Sequence, residues 1–272
     1  ECYVRPGSVI DKEAEKRATS VYLVDRTIPM LPEHPCNGIS SLRPNEEKLA
    51  YTCIFEMDDN ANIINHRIRK TVIKSDRRFT YEEAQEIIET GKGDYAEEVL
   101  TLDRLAKALR KRRFEHGSVN FDRFEVRFEI DETGHPISVY FKVSKDANKL
   151  VEEFMLLANK QVATDIGNPG GRKKAKPFVY RIHDNPDPDR MTNFAEIANR
   201  FGYKVRTTGK RTDINNSLNK MLSSVKGKPE ENLLSILAIR SMSKAVYSTV
   251  NVGHYGLAFD YYTHFTSPIR RY

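Results

Sequence analysis

Between residues 124 and 143 the chain alternates apolar and polar side chains, and no other pattern limits its fold as much. Phe124, Val126, Phe128 and Ile130 fall on one side of an extended chain, with Arg123, Glu125, Arg127 and Glu129 on the other. A turn at 131–134 leads into Ile137, Val139, Phe141 and Val143, again on one side. A period of two belongs to strands, so the segment predicts a hairpin packed on one face and wet on the other. Tyr51, Cys53, Phe55 and Met57 share a strand face in the same way. The polar break Asp58-Asp59-Asn60 then predicts a turn into a second strand over 63–74.

Helical periodicity fills most of the remainder. Thr80 and Glu83 form a capping box ahead of a helix over 81–89, which Gly91 and Gly93 end. A longer helix over 95–116 places Val99, Leu102, Leu105, Ala106 and Leu109 on one face and stops at Gly117. Further helices are expected over 146–166, 188–201, 213–225 and 230–247, with Pro229 in the first turn of the last. A short strand is expected over 178–182. Residues 1–46 read as irregular apart from a short helix near 11–17, because Pro29, Pro32, Pro35 and Pro44 interrupt regular structure. The expectation is one incomplete domain over 1–272, of class α+β. Its core is a mainly antiparallel β-sheet or barrel flanked by helices.

No stretch approaches the roughly 18 consecutive apolar residues of a membrane span, and the first residues hold no signal-peptide core. Three cysteines (Cys2, Cys36, Cys53) without metal-ligand spacing suit a reducing compartment, and a cytoplasmic location is expected. The 44 Lys plus Arg exceed the 38 Asp plus Glu by 6, which permits a polyanionic partner. The cations concentrate in Arg110-Lys111-Arg112-Arg113, in Arg172-Lys173-Lys174-Ala175-Lys176, and between residues 200 and 211. The first run ends a helix, where cations meet the dipole; it reads either as a solvated helix end or as a phosphate contact. The second follows Asn168-Pro169-Gly170-Gly171 and suits mobile contact with a nucleic-acid backbone.

No phosphate-cradling glycine loop, H-E-x-x-H helix or paired C-x-x-C is present. The acidic stretch His183-Asp184-Asn185-Pro186-Asp187-Pro188-Asp189 offers carboxylates to a cation. Asn-Pro and Asp-Pro steps before a helix favour turn and N-cap chemistry instead. Residues 254–272 are denser in chemistry. His254-Tyr255-Gly256-Leu257 and Tyr261-Tyr262-Thr263-His264-Phe265 precede Thr266-Ser267-Pro268-Ile269-Arg270-Arg271-Tyr272. Arginines beside rings and hydroxyls suit phosphate clamping with base stacking, and equally an aromatic core with a surface arginine pair.

These last segments resemble the signature of the ribonuclease II / ribonuclease R family. Four others agree in order and spacing: Tyr3-Val4-Arg5-Pro6-Gly7-Ser8, residues 19–32 with Ile28-Pro29-Met30-Leu31-Pro32, residues 147–159 with Glu152-Glu153-Phe154-Met155-Leu156-Leu157-Ala158-Asn159, and Tyr180-Arg181-Ile182-His183-Asp184-Asn185-Pro186. The likeness covers essentially the whole chain, is weakest over 202–228, and fits the ribonuclease R branch best.

The resemblance implies processive 3′→5′ hydrolysis of single-stranded RNA to nucleoside monophosphates, with Mg²⁺ activating water and neutralising charge. DNA would not be a substrate. Tyr22 resembles the tyrosine that stacks on the terminal nucleotide, and Phe121 the phenylalanine across the base stack. Tyr81, with a companion carboxylate at Glu152 or Glu153, resembles the pair that selects ribose. Arg270 resembles the arginine on the scissile phosphate, and Arg271 a structural or secondary phosphate contact. The family's metal ligands, a D-x5-D-x-D-D cluster, do not occur here and are expected upstream of Glu1. The chain therefore reads as a piece of something longer, inactive alone. The alternative is a non-catalytic RNA-binding or scaffold protein that retains the RNA channel.

Overall fold

The computed structural model describes residues 4–120, 125–170 and 174–266. Helix α1 (Val9–Arg17) starts where the Ser8 hydroxyl accepts from the Asp11 amide, and ends at Ala18 in the left-handed conformation. The tiny hairpin β1 (Val21–Tyr22) and β2 (Thr27–Ile28) follows, then a π-helical turn at His34–Ile39. Residues 4–46 thus carry more structure than their prolines suggest. Pro35 sits in the first turn of the π-helical segment, where its missing N–H costs nothing. Val4, Ala14, Met30 and Leu31 bury one another beneath this region.

Strands β3 (Glu47–Met57) and β4 (Ile63–Lys74) pair antiparallel, with Cys53 opposite Ile68 and Phe55 opposite His66. Their turn is closed by the Asp58 carboxylate, which accepts from the amides of Asn60 and Asn62. Helices α2 (Tyr81–Thr90), α3 (Ala96–Glu115) and α4 (Asp146–Gly167) pack on one another. The Thr80–Glu83 capping box forms in full, and Gly91 closes α2 at φ +71°. The His66 imidazole reaches the Asp165 carboxylate at 2.8 Å and so ties the long hairpin to α4. On α3 the buried stripe is rotated from the one expected. Val99 and Ala106 are buried, but Leu102 is exposed, and Asp103 is buried with its carboxylate on Lys107 at 2.7 Å.

Strands β5 (Glu125–Ile130) and β6 (Pro136–Lys142) form the expected hairpin, with Val126 opposite Phe141 and Phe128 opposite Val139. Its turn is built on Asp131, whose carboxylate accepts from Thr133 and His135. The expectation that the apolar face is packed fails: Val126, Phe128, Ile137, Val139 and Phe141 are all at least 40% exposed. Alternation specifies that a strand pair has two unlike faces, but not that another element covers one of them.

Strand β7 (Tyr180–Ile182) pairs with β8 (Val246–Ser248), and helices α5 (Pro188–Arg200), α6 (Arg211–Val225) and α7 (Glu231–Ser241) lie between them in sequence. The helix expected over 230–247 stops at Ser241, and Met242 turns extended. The run Val246-Tyr247-Ser248 is β-branched and aromatic, and pairing with β7 claims it as a strand. Met191, Phe194 and Ala198 of α5 meet Leu218, Met221 and Val225 of α6 and Leu234 and Ala238 of α7 in the largest buried cluster. Among the described residues the named strands form four separate antiparallel pairs, neither one sheet nor a closed barrel. The class is α+β. No helix among those residues is long and apolar enough to cross a membrane.

Candidate functional site

The end of α3 departs furthest from the sequence reading. Two of its four cations are engaged by other parts of the protein. Arg112 donates to the carbonyls of Asn60 and Ala61 at 2.7 and 3.2 Å, and so holds the β3–β4 turn. Arg113 is buried, and its side chain forks onto Glu153 of α4: Nε donates to Oε2 at 3.2 Å and Nη2 to Oε1. Arg113 is therefore not a solvated helix end, and Arg112 is only partly buried.

This ion pair separates the two glutamates. Glu153 is 3% exposed, with both oxygens on Arg113. Glu152 is half-exposed, with Oε1 at 3.7 Å from Arg113 Nη2. Tyr81 is exposed at the first position of α2, with Lys142 Nζ 5.8 Å from its ring centre. Its helix is tied to the start of α4 by Gln85, whose side-chain oxygen accepts from the Ala147 amide at 3.0 Å. Tyr81 and Glu152 therefore lie on adjoining helices. Tyr22 stands apart on β1, 68% exposed. Its hairpin is held from below, where the Met30 amide donates to Ser20 Oγ and Arg17 donates to the Pro29 carbonyl.

Phe121, Arg270 and Arg271 lie outside the described residues. The segments leading to them do not. Arg113 Nη1 donates to Ser118 Oγ at 2.7 Å, and that hydroxyl donates to the Gly256 carbonyl at 3.0 Å. The Val119 amide donates to the same carbonyl. From α6, Asn215 and Asn219 donate to the carbonyls of Gly117 and Ser118, and the Asn120 amide donates to Asn219 Oδ1. Residues 117–120, directly before Phe121, are thus gripped by α3, α6 and the Gly256 turn. Ahead of Arg270, the buried Asn159 of α4 accepts from the amides of Phe265 and Thr266, each at 2.9 Å.

The two histidine motifs meet here. Gly256 N donates to His183 Nδ1 at 3.1 Å, and Leu257 N donates to His254 Nδ1 at 3.2 Å. A Cβ on Gly256 would stand 3.0 Å from His183 Nδ1, so a larger residue would have to push the ring aside by a few tenths of an ångström. Burial, and then the neighbouring His183, push His254 down to about 3; burial also lowers His183. Both rings are neutral acceptors near neutral pH, as an imidazole receiving an amide N–H must be. In the unfolded chain each takes a proton near pH 6.5. Their contribution to stability is therefore complete above that pH and shrinks as pH falls. For His254 the loss is roughly 1.4 kcal/mol per pH unit, continuing down to about pH 3. Urea unfolding midpoints are expected to fall between pH 6.5 and 5, and His254→Asn should flatten that slope. An unchanged slope would contradict the assignment.

The acidic stretch before α5 is used structurally. Asp187 N-caps α5, accepting from the amides of Asp189 and Arg190, and Asp184 accepts from the Asn185 amide. Among the described residues no group of three or more His, Cys, Asp or Glu side chains is placed to hold a metal ion. These residues do not fit the Mg²⁺ that the sequence resemblance implies. The basic loop is only partly described: Arg172 and Lys173 fall outside, while Lys174 and Lys176 are exposed.

Sequence reasoning missed Arg113, Ser118, Asn159, Asn215 and Asn219. A signal existed for one. Asn159 continues the apolar stripe of α4, three residues after the buried Leu156 and four before the buried Ala163.

Comparison with known proteins gives a consistent picture. The RNB domain family matches residues 1–272. Ribonuclease R 1 of Lactococcus lactis subsp. lactis (strain IL1403) is 39% identical over 279 residues, covering 99% of this chain and 33% of that protein. Ribonuclease R of Aquifex aeolicus (strain VF5) is 39% identical over 276 residues, covering 99% and 38%. Mycoplasma genitalium RNase R in complex with ribose methylated single-stranded RNA superposes with a TM-score of 0.85 at 26% identity. That match covers 98% of this chain and 42% of that one. The chain thus spans between a third and about two-fifths of these relatives.

Proposed function

This chain belongs to the RNB domain family, and on that premise we propose that the protein is a processive 3′→5′ exoribonuclease. It hydrolyses single-stranded RNA to nucleoside monophosphates and spares DNA. The match of the RNB domain over residues 1–272, with ribonuclease R relatives at 39% identity, carries this reading. Mg²⁺ belongs to this reading, with its ligands expected upstream of Glu1 rather than among the described residues.

The geometry supports a division of labour. Glu152 has an oxygen free to accept from a ribose 2′-OH, while Glu153 is committed to Arg113. Tyr81 on the adjoining helix presents an exposed ring and hydroxyl as the partner of Glu152. The exposed ring of Tyr22 offers a stacking surface that accepts any base, and Phe121 supplies the opposing ring. Arg270, outside the described residues, is assigned the scissile phosphate by the sequence resemblance, with Arg271 in a supporting role.

The test is incubation of the full-length protein with labelled single-stranded RNA or DNA, with and without Mg²⁺, reading bound polymer and released monophosphates. RNA-specific, Mg²⁺-dependent release is expected. Binding without release would instead make it a non-catalytic RNA-binding protein. Glu152→Gln together with Tyr81→Phe is expected to narrow the RNA-over-DNA preference by about tenfold or more. Equal degradation of both polymers by the unsubstituted protein would overturn the ribose-selecting role.

A further inference from the structure

The last turns of α3 and the middle of α4 present charged side chains to one small cavity. On α3, Arg112 and Arg113 share a face with His116, which caps the helix one turn on. On α4, Glu153 and Lys160 share a face, one heptad apart with two leucines between them. The cavity between these faces measures about 190 Å³ and is closed by the end of the β3–β4 turn and by residues 257–259. That is below the roughly 300 Å³ at which pockets for drug-sized ligands begin, and it suits a small ion or a single phosphate group. Arg113 and Glu153 neutralise one another there. Arg112 and Lys160 remain. Arg112 donates one N–H to each of the Asn60 and Ala61 carbonyls, and a guanidinium has five such donors. Lys160 Nζ stands 5.1 Å from the ring centre of Phe259, which lines the cavity. The ammonium makes no hydrogen bond or ion pair among the described residues. Two cations therefore meet at one cavity with no carboxylate of their own. The acids whose charge reaches them, Asp260 for Lys160 and Asp58 for Arg112, neither line the cavity nor pair with them. Burial of the ammonium, opposed by Asp260 and reinforced by Arg112, holds Lys160 below the usual lysine value. Its side chain stays open to solvent, so an anion can reach it.

We propose that Arg112 and Lys160 bind a phosphate group of the RNA strand at this cavity. This rests on the exoribonuclease reading above and adds to it a contact that is blind to base identity. A phosphate supplies the charge that the cavity lacks. Its oxygens accept from the free edge of the Arg112 fork, and Lys160 adds a point charge from the facing helix. Lys160 follows Glu152 by eight residues on α4, about 12 Å of helix. The site is thus within reach of a strand whose ribose lies at Glu152.

The experiment is single-stranded RNA binding by the full-length protein without added Mg²⁺, titrated over a range of salt concentrations. Each phosphate contact on a single strand contributes about 0.7 to the slope of log affinity against log salt. Lys160→Gln is expected to lower that slope by about 0.7 and to weaken binding about 3- to 10-fold, alike for RNAs of different sequence. Lys160→Arg keeps the charge and should hold affinity within about twofold. Lys220→Gln, at an exposed lysine of α6, is the control and should leave the slope unchanged. Amine acetylation of the unsubstituted protein, read by mass spectrometry, should show Lys160 protected by the RNA and not by inorganic phosphate at the same phosphate concentration. An unchanged slope in Lys160→Gln would overturn the proposal. So would an equal fall in Lys220→Gln, the mark of a general charge effect. Protection by inorganic phosphate alone would assign the cavity to free phosphate and overturn the strand contact. If the unsubstituted protein neither binds nor hydrolyses RNA, the underlying reading falls, and this one with it. Normal RNA hydrolysis together with a slope that Lys160→Gln leaves untouched would overturn this one alone.

Discussion

Replacing Arg113 with alanine is expected to destabilise the protein by about 3–5 kcal/mol, the cost of leaving a buried carboxylate without its partner. Arg113 and Glu153 have side chains 6% and 3% exposed, so water does not replace the lost guanidinium. Ser118 loses a donor at the same time, and residues 117–120 lose one of three supports. A change of that size should lower the melting temperature by roughly 10 °C, at about 2–4 °C per kcal/mol for a domain of this size. Glu153→Ala should cost a similar amount. The double replacement Arg113→Met with Glu153→Leu is expected to cost much less than the two single effects added, because it removes both charges together. Additive losses would mean that the pair is not the source of the effect.

The largest kinetic effect is expected at Arg270. Arg270→Ala in the full-length protein should lower the turnover rate about 10²- to 10³-fold and leave RNA affinity within a few-fold. The reason is timing. On the role proposed for Arg270, a guanidinium fork gains most when charge builds on the scissile phosphate, so its loss falls on the transition state rather than on the bound substrate. Arg270→Lys keeps the charge without the fork and should recover only part of the rate. A fall in affinity with an unchanged rate would make Arg270 a binding residue only.

Local chemistry was legible in the sequence. The Thr80–Glu83 capping box, the Asp187 N-cap and the Asp131 turn depend on residues within four positions of one another, and all three formed. What could not be read depends on distant partners. Arg113 sits in a run of four cations, and nothing nearby shows that one of them is neutralised by a residue 40 positions away. Glu152 and Glu153 are identical in chemistry; only the rotation of about 100° between successive helix positions buries one and exposes the other. The helix expected over 230–247 overran because its apolar content continues past Ser241, and only pairing with β7 shows that Val246–Ser248 is a strand. The exposed face of β5–β6 teaches the converse: a clear strand pattern says nothing about what covers it.

The carbonyl of Gly256 receives bonds from Ser118 and Val119, a separation of 138 residues from the first of them. That contact governs the order in which the molecule is completed. A ribosome adding roughly 5–20 residues per second needs about 7–30 s to travel the distance. Throughout that interval the segment ahead of Phe121 has its α3 contact but not the anchor from the Gly256 turn. Loop closure over such a span is also entropically slow. Residues 117–120 therefore gain their last support well after α3, the helix they follow, has been made.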